Sequence, residues 1–373
     1  MQAVILAGGK GTRLHPLTRH IPKPMVPLFD RPVLEHTIAL LKSHGIRHLI
    51  FTLSYRARDI IEYFGGGSRW GVHIQYAIED EPLGTAGGLK AMQPLLRETF
   101  CVLSGDGITD FDLSAALEAH RRHSAEATML LYRLPDPAAL SEFGVVETDA
   151  AGRIQRFVEK PAPGQASGDT INTGIYLLEP SILTRIPGDR PFDFSRDLFP
   201  ELLREGARFF GYRAQGYWCD IGNLGQYRQV HQDALAGKIT LDFGAFGARE
   251  VRRGVWIGPG AQMHPSAQFL GPCYVGSGTQ VQERAVVAGG AVLGRGSRVG
   301  AGARIAASVI GAEAYVGPDA DLRDCIVGDG YRLSDGYRLQ GAVLTRDLGP
   351  LAICARTGRA LTETPTLAVQ KAA

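Results

Sequence analysis

LAGGKGTRLHPLTRHIPK, running from Leu6 to Lys23, decides how this chain is read. It grows out of Ala3, Val4 and Ile5, which with Leu6 and Ala7 make the apolar run of a buried strand. Gly8, Gly9 and Gly11 then leave a loop without side-chain bulk, so backbone N–H groups can close on a polyphosphate. Arg13 and Lys23 add two cations of different geometry, a planar fork and a point charge. Strand, glycine loop and cations together point to a phosphate site. The plainer alternative is a tight turn with two solvated cations. Two common phosphate loops are excluded by spacing. A P-loop needs G-x-x-x-x-G-K-[ST], but Gly11 follows Lys10 here. A dinucleotide fingerprint needs G-x-G-x-x-G, and counting from Gly9 and Gly11 puts Leu14 at the third glycine.

The bulk composition narrows the class. At 373 residues the chain is long enough for two domains. With 45% hydrophobic and 21% charged residues it has the make-up of a globular protein. A net charge of +2 gives no electrostatic case for nucleic acid or a membrane surface, so cations that meet phosphate must act locally. Cys101, Cys219, Cys273, Cys325 and Cys354 are odd in number and have no C-x-x-C spacing, as expected of reduced thiols in a cytoplasmic protein without structural zinc. Cys219 beside Asp220 reads as an inert thiol before it reads as a nucleophile. No leader-like N-terminus and no run of 18 apolar residues is found, so the expectation is a cytosolic chain.

The hydrophobic period changes part-way along. Up to about Leu241, short apolar runs (Ala3–Ala7, His48–Leu53, Phe100–Ser104, Ala127–Tyr132, Ile154–Val158, Gly174–Leu178) alternate with amphipathic segments such as Val33–His44, Asp112–His120 and Leu224–Leu235. That alternation predicts an α/β domain over residues 1–241, Rossmann-like, with a mixed, mostly parallel sheet and ligands beyond the carboxyl ends of its strands. From Val255 an apolar residue recurs every six positions: Ile257, Met263, Phe269, Val275, Val281, Val287, Leu293, Val299 and Ile305. After one dropped residue the series resumes at Ile310, Val316 and Leu322. Such hexapeptide repeats predict a parallel β-helix over 255–345, with these residues pointing inward. Residues 242–254 read as a linker and 346–373 as a C-terminal tail without a clear period.

The Leu6–Lys23 stretch resembles the G-x-G-T-R-[LM] … K-P signature of the sugar-1-phosphate nucleotidyltransferases, the nucleoside-diphosphate-sugar pyrophosphorylases. The resemblance extends over nearly the whole chain and implies that the β-helix is the left-handed one some members carry. Within the family, Phe192–Pro200 and Tyr217–Ala234 are most similar to mannose-1-phosphate guanylyltransferases, which implies GTP and mannose-1-phosphate as substrates, GDP-mannose as product and Mg²⁺ as cofactor. It assigns Leu6, Ala7, Gly8, Gly9, Gly11 and Thr12 to the nucleotide, Arg13 to the triphosphate and pyrophosphate, and Lys23 to phosphate. Asp106 after the strand Phe100–Ser104, and Asp220 in Trp218–Gly222, are the implied pair of metal ligands. Magnesium is commonly held by one or two carboxylates plus phosphate oxygens. Members usually show Asn where Ser104 stands. Either aspartate by itself reads as a turn or cap residue. Asp110 and Asp112 are further candidates, Asp112 reading best as a helix cap.

The turn Glu81–Gly88 implies a nucleobase grip through backbone near Gly84 and Thr85, in a form shared by guanylyl-, thymidylyl- and uridylyltransferases. Gly144, Glu159, Lys160, Asn172 and Thr173 match the sugar-phosphate side, with Asn172 and its neighbour Thr173 at the sugar ring. Three alternatives stay open. One is glucose-1-phosphate thymidylyl- or uridylyl transfer. Another is a non-catalytic regulatory subunit, against which stand Arg13, Lys23, Asp106 and Asp220. The last is acyl transfer in the β-helix, for which only His264, before Pro265, offers a base. A β-helix exposes edges that need covering, so a homo-oligomer is expected.

Overall fold

The computed structural model describes residues 1–352 apart from 80, 82, 135, 163, 166, 167 and 347, together with residues 370 and 371. Cys354 and most of the tail expected over 346–373 lie outside the described residues. Internal contacts gather the chain into two compact units. The first holds the described residues of Met1–Lys10, Pro22–Pro24 and Leu34–Asp220; the second holds Gly11–Ile21, Met25–Val33 and the described residues from Ile221 onward.

The first unit is built on a mixed sheet. Its parallel half has the strand order Phe100–Ser104, Gln2–Leu6, His48–Leu53, His73–Ile78. Gln2–Leu6 is buried at its centre because Ala3, Val4 and Ile5 fill both faces. The chain leaves it on one side toward His48–Leu53, while Phe100–Ser104 pairs on the other, so the strand order reverses around Gln2–Leu6. The other half is mainly antiparallel: Thr170–Leu178 pairs with Phe100–Ser104, Ala127–Arg133 and Gly144–Thr148, and the last of these with Ile154–Glu159. Phe209–Arg213 adds a parallel strand beside Ala127–Arg133. Half of the sheet is therefore not of the parallel kind that strand–helix alternation suggests. Hairpin connections carry little helix, so the pattern of apolar runs alone does not report their direction. Phe100, Met129, Tyr176, Phe194, Phe199 and Phe209 anchor the core against this half.

The second unit contains three sheets of short parallel strands, in line with the left-handed β-helix the resemblance implies. Val255–Ile257, Cys273–Val275 and Ala291–Leu293 stack in register, an advance of 18 residues per coil. From Leu293 to Ile310 the advance shortens to 17 residues, which is the dropped position seen in the sequence. The shorter coil then persists, since Ile310 pairs with Val327 and Val327 with Leu344. Val275, Val281, Val287, Leu293, Val299 and Ile305 are all buried in one core with Ile310, Val316 and Leu322. Met263 is the exception at 37% exposure. Its strand, Gln262–Met263, is the edge of its sheet, with no preceding coil to cover it.

Residues 242–254 are folded. Asp242 caps the turn Phe243–Phe246, and Arg249–Arg252 pairs antiparallel with Val255–Ile257. Phe243 is buried among Phe29, Tyr274 and Trp256. Asp30 adds a polar pin in the same unit. Its carboxylate accepts hydrogen bonds from the Tyr274 hydroxyl (3.0 Å), Ser277 N–H (3.0 Å) and Arg295 N–H (2.9 Å). Only glycine fits beneath it at 276, because a Cβ there would sit 2.7 Å from Asp30 Oδ1 and 2.7 Å from Arg295 N. Among the described residues no helix is long and apolar enough to cross a membrane.

Candidate active site

The carboxyl edge of the parallel half brings Asp106 and Glu79 onto one line. Leu6 is level with Ser104 on one side and Thr52 on the other, and Thr52 is level with Ala77. Two residues beyond that line stand Asp106, Gly8, Ser54 and Glu79. Gly105 N–H donates to Leu6 O (2.9 Å), Ala7 N–H to Thr52 O (2.9 Å), and Glu79 N–H to Leu53 O (2.8 Å), so each exit is tied to its neighbour. A Cβ at Gly8 would lie 3.3 Å from Ser54, which keeps the loop thin there. From Asp106 to Glu79 is three strand intervals of ~4.8 Å, about 14 Å, room for an extended nucleotide.

Asp220 reaches this edge by a short antiparallel pairing. Trp218–Asp220 lies against Gly107–Thr109 with Asp220 opposite Gly107, so the register sets it next to Asp106. Lys23, in the turn Lys23–Met25 and only 8% exposed, donates from Nζ to Asp106 and to Asp220 Oδ1 (3.2 Å). Ser104 Oγ donates to Asp106. Burial works against the Lys23 ammonium, but the Asp106 and Asp220 carboxylates outweigh it and hold its pKa above the ordinary lysine value. Burial likewise works against the Asp106 carboxylate, and Lys23, aided by Ser104, holds its pKa below the usual aspartate value. Among the described residues no cluster of three or more His, Cys, Asp or Glu side chains is suited to a metal. Two converging carboxylates do suit Mg²⁺ that completes its shell with phosphate oxygens and water.

The remaining candidates fall into three places. Gly144 and Glu159 pair in register on neighbouring antiparallel strands, and a Cβ at Gly144 would lie 2.9 Å from Glu159 Oε2. Lys160 follows in a left-handed conformation, exposed, with its N–H on Phe143 O (3.1 Å). Asn172 and Thr173 sit where the ladder between Thr170–Leu178 and Ala127–Arg133 shifts register. Asn172 Oδ1 accepts from Gly174 N–H (2.9 Å) and its amide donates to Tyr176 OH (3.0 Å). Thr173 spends its hydroxyl on Leu130 O (2.7 Å) and its carbonyl on Trp218 Nε1 (3.1 Å). Trp218 therefore ties the strand carrying Asp220 to the Asn172–Thr173 bulge. Gly84 and Thr85 open the helix Gly84–Ala91, whose first turn is bonded to Phe192 and Asp193.

Gly11, Thr12 and Arg13 belong to the second unit. There Gly11 adopts a left-handed conformation ahead of the turn Thr12–Leu14, Thr18 Oγ1 donates to Gly11 O (2.8 Å), and Arg13 is exposed above the buried Leu14. Of the further aspartates, Asp112 is the cap of the helix Leu113–Arg122, accepting from Ala115 N–H (2.9 Å), and Asp110 accepts from Tyr217 N–H (2.6 Å). Cys101, Cys273 and Cys325 are buried without disulfides, and Cys219 is half-buried. His264 is exposed, with Nδ1 on Ser266 Oγ at 2.8 Å.

One residue at this edge carries no motif. Glu79 is half-buried on an open pocket of about 360 Å³ that Ile78, Leu83, Gly88 and Met92 also line. Glu79 Oε2 accepts from Leu83 N–H (3.2 Å). Burial raises the Glu79 pKa, with the Leu83 N–H pulling the other way. The signal for it in the sequence is only its place, five residues before Gly84 at the end of an apolar alternation.

The nucleotidyl transferase family matches residues 2–237, most of the chain. The protein belongs to that family. Its chemistry is transfer of a nucleotidyl group to a sugar-1-phosphate. Among curated proteins it is 37% identical to a UTP–glucose-1-phosphate uridylyltransferase of Synechocystis, over 88% of this chain and 87% of that one. It is 38% identical to a mannose-1-phosphate guanylyltransferase of Mycobacterium tuberculosis, over 75% and 76%. Among solved structures, HddC from Yersinia pseudotuberculosis in complex with GMP-PN superposes with a TM-score of 0.53 at 30% identity, covering 61% of this nucleotidyl transferase and 96% of HddC.

Proposed function

We propose that the protein transfers a guanylyl group from GTP to mannose-1-phosphate, releasing pyrophosphate and GDP-mannose. The observation that carries the choice of base is Glu79. A carboxylate offers acceptors only. Guanine presents two adjacent donors, N1–H and the 2-amino group, to such a partner. Uracil and thymine place carbonyl oxygens on both sides of their one N–H and would set oxygen against oxygen. The HddC structure with GMP-PN and the relatives named mannose-1-phosphate guanylyltransferases, including one from Xenopus tropicalis at 36% identity, support the same reading. Mannose rests on those relatives. A second reading, UTP with glucose-1-phosphate, is favoured by the Synechocystis relative, which matches over more of the chain.

On this reading a phosphate oxygen of the sugar-1-phosphate attacks the α-phosphorus of the triphosphate, and the bond to the leaving pyrophosphate breaks in line. Asp106 and Asp220 would hold Mg²⁺, which when bound neutralises charge on the phosphates. Lys23 brings a buried cation to the same edge, where its field is little screened by water. Gly8 and Gly9 leave room for backbone N–H groups to approach phosphate, and Arg13 is assigned to the pyrophosphate. Gly144, Glu159, Lys160 and Asn172 are assigned to the sugar phosphate. The test crosses GTP, dTTP, UTP, ATP and CTP with mannose-, glucose- and N-acetylglucosamine-1-phosphate in a pyrophosphate-release assay. GTP with mannose-1-phosphate is expected to give the highest kcat/KM by at least about tenfold, or 1.4 kcal/mol. A best rate with UTP or dTTP and glucose-1-phosphate overturns the choice of pair.

A further inference from the structure

The first turn of a helix leaves N–H groups without intrahelical partners. In the helix Gly84–Ala91 a distant segment takes them. Phe192 O accepts from Ala86 N–H (2.9 Å) and from Gly87 N–H (2.9 Å), and Phe192 N–H donates to Leu83 O (2.9 Å). Asp193 Oδ1 accepts from Thr85 twice, from its N–H (3.2 Å) and from its hydroxyl (2.8 Å). Thr85 Oγ1 in turn accepts from Phe194 N–H (3.0 Å). The approach is close enough to require glycine at 84, where φ is +79° and a Cβ would lie 2.7 Å from Phe192 O.

Two consequences follow. The donors of Thr85, Ala86 and Gly87 are spent inside the protein, so this glycine-rich turn differs in kind from Gly8–Gly9 and is not a phosphate cradle. The turn also owes its shape to a side chain more than a hundred residues away. Asp193 is itself fixed, because Phe192 and Phe194 on either side are 3% and 2% exposed in the core, and Asp193 N–H donates to Asp197 Oδ2 (2.8 Å). The Leu83 N–H bond to Glu79 belongs to the same turn, so the grip reaches the pocket wall.

We propose that Asp193 is a positioning residue of the nucleobase subsite, holding the Leu83–Gly87 turn in the shape that receives the base. This rests on the nucleotidyl-transfer reading above. The test compares the full-length chain with Asp193→Ala and Asp193→Asn, measuring KM for each substrate in pyrophosphate release and nucleotide affinity by calorimetry. Asp193→Ala should raise KM for GTP about tenfold and leave KM for the sugar-1-phosphate within about twofold. The preference for GTP over UTP should shrink with it. Asp193→Asn keeps an acceptor oxygen for Thr85 N–H and should recover most of the loss. Thr85→Val removes only the hydroxyl and should move KM for GTP the same way by about threefold, which serves if the alanine variant does not fold. An unchanged KM for GTP, or equal rises for both substrates, would overturn the role of Asp193. Absence of pyrophosphate from the unsubstituted chain with every pair would instead sink the functional reading beneath it.

Discussion

Replacing Glu79 by glutamine changes one oxygen to an amide nitrogen and leaves the shape of the pocket alone. A hydrogen bond to a charged group is worth about 1.5–3 kcal/mol, and the half-buried position of Glu79 calls for the lower end. Guanine facing glutamine keeps one bond, now to a neutral acceptor, and sets one of its donors against the new NH₂. One lost charge-assisted bond and one unpaired donor cost together about 2–3 kcal/mol, or roughly 30- to 150-fold in kcat/KM for GTP. Uracil gains, because its N3–H and a neighbouring carbonyl match the amide oxygen and amide nitrogen. UTP should therefore improve by up to about tenfold, while KM for the sugar-1-phosphate holds steady. Pyrophosphate release with both triphosphates, at fixed saturating sugar-1-phosphate, measures all of this. A loss of less than about threefold with GTP, or equal losses with GTP and UTP, would refute the argument that this carboxylate reads the base.

Three more outcomes are expected. Asp106→Asn and Asp220→Asn should each reduce kcat by more than about a hundredfold, since an amide keeps the shape but removes the charge that balances a divalent ion; full activity of both variants in EDTA refutes the metal role. A chain ending at Leu241 lacks Tyr274, Ser277 and Arg295, the three donors to Asp30 in the segment that follows Lys23, so most activity should be lost, and Asp30→Ala in the full chain should lower stability by about 2 kcal/mol; undiminished kcat/KM in the shortened chain counts against this. Burial holds the His120 pKa below 6.5, outweighing the opposite pull of Glu179 at 3.0 Å, so below that pH the unfolded chain binds a proton the folded one does not. Stability should therefore be full above about pH 6.5 and fall as the pH drops through that value toward the folded pKa, less so in His120→Gln; equal urea midpoint shifts between pH 7.5 and 5.5 for both proteins refute it.

Local chemistry was legible where it repeats or punctuates. Leu224–Leu235 is both amphipathic and capped by Asn223, which accepts from Gln226 N–H (2.9 Å), so its bounds can be read from the sequence. His48–Leu53 and Phe100–Ser104 are short, mostly apolar runs, and they form strands over those spans. His73–Ile78 is an edge strand whose mixed exposure hides it in the sequence, and Glu79 at its end is hidden with it. Gly107–Thr109 and Trp218–Asp220 have three residues each, too few for any period, yet their register is what joins Asp106 to Asp220. Asp30 and Asp193 act on residues more than a hundred positions away, and no spacing rule connects such partners.

The first unit divides its work between the two halves of one sheet. On the proposed reading, base and triphosphate lie along the parallel half, where Asp106, Gly8 and Glu79 leave three of its four strands at one level. On the same reading the sugar residues come from the antiparallel half, where Gly144 faces Glu159 and Asn172, paired with Leu131, stands at the edge of a register shift. Trp218–Asp220 belongs to neither half; with Gly107–Thr109 it forms a two-stranded sheet of its own. Its backbone pairs with Gly107–Thr109 beside Asp106, and its indole N–H holds Thr173 O. On the proposed reading a strand so placed sets the carboxylates between the two substrates and couples Asp220 to the Asn172–Thr173 bulge through Trp218. On that reading the base pocket at Glu79 and the sugar residues around Asn172 stand on different halves of the sheet, so a change at Glu79 need not disturb Asn172, and the relatives on this scaffold are named for different nucleotides and different sugars.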